Sequence, residues 1–255
     1  MLVTGAIARG AAPVAEPEAV LRRAEASHEA FTEGIIGLRV IVNERGKKPV
    51  ANVLQLFVKG ADTSLLVFQE GKQKGRKILT LGDKVLLIVP GASRPIPVSK
   101  TQRLMGAASF GDVWRLRLAD SYDATLRPAE QTVSGEDGET RCQVYDLAAK
   151  KAGSAYPAAV LWVGRDDGLP RRLLLSLASG KEAKDVSFKS YDAKRRVVAM
   201  DIRDLLYAGG GNVTSLNFES YEQRPLDPAI FDPESELSLQ ETRSSPTMPP
   251  RDRPQ

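Results

Sequence analysis

Residues 76–99 read RKILTLGDKVLLIVPGASRPIPVS and contain the clearest structural signal of the chain. Two segments rich in apolar residues, Lys77–Leu81 and Lys84–Val89, are separated by Gly82 and Asp83. A two-residue connection that contains glycine is typical of a tight β-hairpin, because glycine adopts the positive φ that such a turn requires. The stretch therefore predicts two antiparallel strands joined by a tight turn.

Both faces of the second strand of this hairpin are apolar. Val85, Leu87 and Val89 point to one side, whereas Leu86 and Ile88 point to the other, because side chains alternate along a strand. A strand with two apolar faces must be covered on both sides. The prolines that follow exclude a regular central strand, so the chain leaves the sheet there or forms its edge.

The remainder of the chain consists largely of period-two segments joined by short or glycine-rich connections. This pattern predicts a mainly β protein with a few helices, built as an antiparallel meander of about eleven strands in a sheet that curls. Helices are predicted over 18–31 and 104–118, against the concave face of that sheet.

Domain boundaries follow from composition. Residues 18–236 are predicted to form a single domain. Residues 1–17 are small and apolar, and are either the remnant of an export signal or a disordered tail. Residues 237–255 are polar and proline-rich, which predicts a disordered tail.

The composition excludes several functional classes. A net charge of +4 over 255 residues is too small for a dedicated nucleic-acid-binding protein, and no nucleic-acid partner is expected. No apolar run is long enough to cross a membrane as a helix. The single cysteine, Cys142, excludes an intramolecular disulfide and a cysteine-based zinc site, and is interpreted as a small hydrophobic residue of a strand.

Residues that could carry out catalysis are nearly absent. The single histidine, His28, is placed on the surface of the predicted N-terminal helix and is interpreted as structural. Asp166 and Asp167 lie in a turn, where hydrogen bonds to the backbone account for them. We therefore expect no enzymatic activity, no metal and no cofactor.

The strongest local concentration of charge is a cationic cluster formed by Lys72, Lys74, Arg76 and Lys77. It is either a solvated turn or a surface that contacts acidic lipid head groups or an acidic partner. No aromatic residue is interleaved with it, which argues against a platform for stacking nucleic-acid bases.

Several weak motifs occur in the order and spacing of a known family. From about Gly37 to Glu236, the chain resembles the outer-membrane lipoprotein-sorting family of Gram-negative bacteria, which is similar to the periplasmic lipoprotein carrier of the Lol pathway. The matching residues are Val89-Pro90, Arg94-Pro95, Met105-Gly106, Ser109-Phe110-Gly111-Asp112, Asp120-Ser121-Tyr122, Tyr145-Asp146-Leu147, Leu169-Pro170, Thr214-Ser215-Leu216 and Leu226-Asp227-Pro228.

This resemblance implies an incompletely closed, strongly curved antiparallel β-barrel with helices over its mouth and an apolar cavity that accepts acyl chains. It implies a periplasmic, monomeric carrier of lipoprotein acyl chains or free lipid, with an inner-membrane exporter and an outer-membrane acceptor as possible partners. It also implies an arginine that holds a cover closed, for which Arg76, Arg94 and Arg103 are the candidates.

The predicted acyl-binding residues combine the inside of the hairpin with a movable cover around Met105 and Phe110. The alternative is a sensor or protein-interaction module on the same fold, which a filled interior would favour over an open cleft. The residues predicted to contact the acyl chain are Leu56, Phe68, Leu79, Leu87, Val89, Met105, Phe110, Trp114 and Trp162.

Overall fold

The structure is a computed structural model that describes residues 16–29, 31–92, 94–99, 103–109, 117–135, 138–206 and 212–235. Within these ranges, none of the helices has the length and hydropathy needed to cross a membrane. The secondary structure is mainly β.

Two helices and sixteen strands make up the described regular structure, together with two short 3₁₀ turns at Gly71–Gln73 and Pro228–Phe231. The helices are α1 (Pro17–His28) and α2 (Leu118–Ser121). The strands are β1 (Glu33–Asn43), β2 (Val50–Lys59), β3 (Thr63–Phe68), β4 (Lys77–Leu81), β5 (Lys84–Ile88), β6 (Ile96–Val98), β7 (Arg103–Met105), β8 (Ala108–Ser109), β9 (Tyr122–Leu126), β10 (Gln131–Gly135), β11 (Gly138–Ala149), β12 (Ala158–Gly164), β13 (Pro170–Ser176), β14 (Glu182–Tyr191), β15 (Val197–Asp204) and β16 (Val213–Gln223).

Fourteen of these strands form one antiparallel sheet in the order β10-β11-β12-β13-β14-β15-β16-β1-β2-β3-β4-β5-β6, with β9 also paired to β11. Neighbours in the sheet are mostly neighbours in the chain, as expected of a meander. Two pairs are exceptions: β9 with β11, and β16 with β1, in which Asn43 lies opposite Val213 and Gly34 opposite Gln223. The prediction of a strongly curved, incompletely closed antiparallel sheet is confirmed.

The strand count is higher than the predicted eleven. One reason is the segment Tyr122–Val133, whose period-two pattern predicts one strand, whereas the structure divides it between two. β9 and β10 are separated around Pro128, which cannot donate a ladder hydrogen bond, and both strands then pair with β11. Short strands near the sheet edges add to the count.

The predicted hairpin is β4–β5. Gly82 has φ +58°, and Leu81 lies opposite Lys84 across the turn. After β5, the short strand β6 pairs with β5 at the end of the sheet order and contains Pro97, so the proline-rich segment does form an edge.

The hairpin is covered on both faces, as its apolar pattern predicts. On the concave face, Ile78 and Val85 belong to the main core cluster, which also contains the buried side of α1. On the opposite face, Leu79 packs in a second cluster with Ile230 and Phe231 from the C-terminal 3₁₀ turn. This 3₁₀ turn therefore covers the side of the sheet that α1 leaves open.

The start of one predicted helix forms strands instead. The prediction of a helix over 104–118 is wrong at its start, because 103–109 forms the hairpin β7–β8. Gly106 sits at the tip of this hairpin with φ +53°, a conformation that a helix interior does not use. Residues 110–116 lie outside the described residues, and α2 begins at Leu118.

Candidate functional site

Helix α1 covers the concave face with one continuous stripe. Val20, Leu21 and Ala24 are buried in the main cluster, and Ser27 and His28 continue the same side of the helix. The spacing i, i+1, i+4, i+7, i+8 places these five residues on one helical face. An amphipathic helix therefore lies over the apolar interior of the sheet.

The polar contacts of α1 are few in the described structure. Glu25 Oε1 accepts a hydrogen bond from the Ala119 backbone N–H at 2.8 Å, which joins α1 to the start of α2. Burial raises the pKa of this carboxyl above its ordinary value. Ser27 Oγ donates to the Ala24 carbonyl at 2.7 Å, a bond within the helix itself. Apolar burial is therefore the main attachment of α1 to the sheet.

His28 is buried, which corrects its predicted position on the helix surface. Its ring lies edge-on to Phe218 of β16, with centroids 5.5 Å apart. Among the described residues, neither ring nitrogen has a hydrogen-bond partner. Burial lowers the pKa of His28 to about 4, so the ring is neutral at pH 7. The signal for its burial was present in the sequence, because His28 follows Leu21 by seven residues and Val20 by eight.

The hairpin β7–β8 is a second cover on the same face. Met105, Ala107 and Ala108 are buried in the main cluster. The Ala107 backbone N–H donates to Thr214 Oγ1 at 2.8 Å. Since the hairpin forms a separate two-stranded sheet, side-chain packing and this bond attach it to the large sheet.

The tip of this hairpin packs closely against the β1–β16 pair. A Cβ on Gly106 would lie 2.4 Å from Thr214 Oγ1 and 2.7 Å from Val42 Cγ1, and Val42 and Thr214 lie opposite each other in the sheet. Glycine is therefore required at position 106 both for its positive φ and for the close approach.

We expect Gly106→Ala to lower the free energy of unfolding by about 1–3 kcal/mol more than Gly180→Ala does. Gly180 has a similar positive φ of +79°, but a Cβ there would meet nothing within 4 Å. Both variants place a side chain on a residue with positive φ, which lowers stability. Only Gly106→Ala also brings its Cβ into steric overlap with Thr214 and Val42. Urea unfolding measures the difference. Equal losses in the two variants would contradict the close packing of the tip.

The predicted acyl-binding residues are divided between the two faces. Leu56, Phe68 and Met105 are buried in the concave-face cluster, and Leu87 packs against it. Val89 is half-buried immediately after β5. Phe110 and Trp114 lie outside the described residues. Two further predicted residues lie on the opposite face, each in a different cluster: Leu79 and Trp162.

Placing Leu79 on the same face as Leu87 is wrong because of the register of the hairpin. The two-residue turn sets Leu79 opposite Leu86 and Ile78 opposite Leu87, and opposed residues share a face. The turn length alone would have given this register, so Ile78 is the residue that sequence reasoning missed.

Trp162 lies on the face of the sheet opposite the concave face. Its neighbours on either side in β12, Leu161 and Val163, are the ones that enter the concave cluster. Trp162 Nε1 donates to Gln131 Oε1 at 2.8 Å, and the Arg172 guanidinium lies 4.8 Å from its ring. Cys142 is buried in the same outer cluster, in agreement with its interpretation as a strand hydrophobe.

The cationic cluster does not form one exposed surface. Lys72 and Lys74 are exposed, whereas Arg76 is half-buried and donates to Gln73 Oε1 at 3.1 Å. Lys77 is only 3% exposed, because it lies within β4 between its strand neighbours Val67 and Ile88. The prediction that all four side chains form one contact surface is therefore wrong for Lys77, because its side chain is buried.

A cleft of about 810 Å³ lies beside α1. Its walls are α1 itself, including Val20 and Arg23, and the segments 126–130, 163–169 and 194–195. The lining mixes apolar and charged side chains, unlike the purely apolar cavity that was expected. Among the described residues, no group of histidine, cysteine and carboxylate side chains is arranged to hold a metal.

The chain matches the model of a known protein family. The model of a family described as "-like: Uncharacterized protein" matches residues 60–235, more than half of the chain. The chain belongs to this family. No significant match is found among curated proteins.

Solved structures show the fold. A LolA superfamily protein of Nitrosomonas europaea is 21% identical, with a TM-score of 0.74 over 86% of this chain and 98% of that one. A DUF1329 family protein of Desulfovibrio piger is 20% identical, with a TM-score of 0.72 over 88% and 97%. A Vibrio parahaemolyticus domain described as an outer membrane lipoprotein-sorting protein is 16% identical, with a TM-score of 0.68 over 85% and 96%. The fold is LolA-like, as the sequence motifs implied.

Proposed function

We propose that this protein is a periplasmic carrier that binds the acyl chain of a lipoprotein or free lipid on its concave face. It ferries that chain toward the outer membrane, without catalysis. The observation that carries the proposal is an apolar concave face lying under two covers, α1 and the hairpin β7–β8, which are held mainly by apolar contacts.

The energetics of such covers suit reversible binding. Burial of an acyl chain stabilises a complex by about 0.8 kcal/mol per CH₂ group. A chain that enters the concave face replaces contacts that Leu21, Ala24 and Met105 now make. The exchange trades one apolar contact for another, so it does not require a large free-energy change in either direction. Cargo can therefore load and unload without a chemical step.

The LolA-like fold supports this proposal, because one similar structure is described as a lipoprotein-sorting domain. In the proposed role, the protein accepts its cargo at an inner-membrane exporter and delivers it to an outer-membrane acceptor. The concave face would contact the acyl chain through Leu56, Phe68, Leu87 and Met105, together with Ile78.

One observation favours the alternative, a sensor or protein-interaction module. The concave face is filled in this structure, with Leu56 only 2% and Phe68 only 1% exposed. A carrier must open this face, whereas an interaction module keeps it closed. Acyl binding therefore separates the two functions.

We expect Leu87→Asp to weaken binding of a fluorescent fatty-acid probe by about tenfold or more, and Leu86→Asp to leave it nearly unchanged. The two leucines are adjacent and both half-buried, but Leu87 packs against the concave cluster and Leu86 against the opposite one. Fluorescence titration measures the affinities, and circular dichroism checks the fold of each variant. Equal affinities, or no probe binding by the native protein, would contradict the carrier proposal.

A further inference from the structure

The cleft beside α1 has an excess of basic side chains. Five of its lining residues are cationic and three are acidic. The acidic residues are Glu130, Asp166 and Asp167. The cationic residues are Arg23, Arg127, Arg165, Lys194 and Arg195.

Most of the negative charge is already paired. Glu130 Oε1 lies 2.5 Å from Arg165, and Asp167 forms an ion pair with Arg171, which is not one of the residues lining the cleft. Asp167 Oδ1 also accepts the Leu169 backbone N–H at 3.0 Å. Only Asp166 remains as a carboxylate without an ion pair among the described residues lining the cleft.

Three of the five cations, Arg23, Lys194 and Arg195, have no carboxylate partner among the described residues. Arg127, in contrast, is paired outside the cleft, because it donates hydrogen bonds of 2.9 and 2.6 Å to the two Asp146 carboxylate oxygens. Arg23 donates to the Ala19 carbonyl of its own helix, and Arg195 to the Asp167 carbonyl. Together with exposed Lys194, these two side chains leave the lining of the cleft with positive charge that its carboxylates do not balance.

The backbone at Arg195 adopts a conformation that costs stability for a residue with a side chain. Arg195 has φ +65°, and it is the one non-glycine residue with positive φ in the described part of the chain. It closes a turn in which Asp192 Oδ1 accepts the Lys194 and Arg196 backbone N–H groups at 2.9 Å each. Glycine fits this position better. Arg195 lines the cleft, and its guanidinium donates to the Asp167 carbonyl of the facing segment.

Part of the cleft wall is formed by residues of the apolar interior. Val20 and Val163 line the cleft and also belong to the buried concave cluster. Leu126 lines it as well and packs against that cluster. A molecule with an anionic head and an apolar tail matches this mixture of cationic and apolar lining residues.

We propose that the cleft binds the anionic head group of an amphiphilic cargo, of the phosphate class, with Arg23, Lys194 and Arg195 as its cationic contacts. The tail of that cargo then lies under α1 on the concave face. This inference rests on the proposed carrier function and adds the head-group class. Phosphate oxygens suit arginine, because a guanidinium donates two parallel hydrogen bonds to them.

The test compares three ligands on the full chain by titration calorimetry: dodecyl phosphate, dodecyl maltoside and inorganic phosphate. We expect dodecyl phosphate to bind about tenfold or more tightly than the neutral amphiphile, and this preference to fall as salt is added. The double variant Lys194→Ser, Arg195→Gly should lose the preference, with unchanged binding of dodecyl maltoside. Its urea midpoint should not fall, because glycine relieves the positive φ at position 195.

The matched control is Lys181→Ser, which removes an exposed cation from a turn outside the cleft and should retain the preference. Equal affinities for both amphiphiles in the native protein would overturn the head-group site and leave the carrier proposal intact. Binding of neither amphiphile would overturn both. Inorganic phosphate binding as tightly as dodecyl phosphate would overturn the amphiphile assignment, and a retained preference in the double variant would overturn the residue assignment.

Discussion

Lowering the pH from about 7 to about 4 is expected to reduce the free energy of unfolding by about 3 kcal/mol through His28 alone. The pKa of His28 is about 4 in the folded protein, because the ring is buried, and 6.5 when it is exposed. Between these values the unfolded chain binds a proton that the folded chain does not. The contribution is therefore complete above pH 6.5 and is lost as the pH falls toward 4.

The matched variant for this experiment is His28→Phe. Phenylalanine keeps an aromatic ring beside Phe218 and removes two buried nitrogens that have no hydrogen-bond partner among the described residues. We expect it to raise stability and to flatten the pH dependence between about pH 7 and pH 5, above the range in which most carboxylates titrate. Urea unfolding at a series of pH values gives the difference between the two proteins.

His28 is the single histidine of the chain, so its ring signal can be followed directly by NMR. A titration midpoint near the exposed value would contradict burial of the ring. Burial of the ring would also be contradicted if the native protein and His28→Phe lost stability to the same extent as the pH falls.

Leu21→Asp is expected to detach α1 from the sheet while the sheet itself remains folded. Leu21 is 1% exposed at the centre of the buried stripe of α1. Removing its side chain and burying a carboxylate costs about 4 kcal/mol or more. Release of α1 avoids that cost, and α1 contributes no strand to the sheet. The helix is therefore the element that gives way.

The expected signature is a severalfold rise in the fluorescence of an apolar dye, together with fast hydrogen exchange in α1 and an unchanged β signal in circular dichroism. Ala19→Asp is the control, because Ala19 lies on the exposed side of the same helix. Loss of the β signal in Leu21→Asp would mean that the sheet depends on α1. In that case α1 could not act as a removable cover, and the carrier proposal would lose its main support.

The local elements of this fold could be read from the sequence because each depends on residues that are close in the chain. Gly82 and Asp83 set the turn of the β4–β5 hairpin, and the following prolines set the edge of the sheet. The 3.6-residue period of apolar side chains predicts α1, and the same period places His28 on its buried face. The face occupied by Leu79 follows from the turn length in the same way.

Other features depend on contacts between residues far apart in sequence, which only the tertiary structure decides. The tip of the hairpin at 103–109 lies against Val42 and Thr214, and no local pattern encodes that partnership. The β16–β1 pairing joins residues about 180 positions apart.

The cleft is the clearest example of a site decided by tertiary structure. Arg23 comes from the helix, whereas Lys194 and Arg195 come from a turn between two late strands. A sequence places single charges in separate loops, where each one reads as a solvated turn residue. Their combined field arises only when the curved sheet brings those loops to the same side of α1, because electrostatic interaction depends on distance in space and not on separation along the chain.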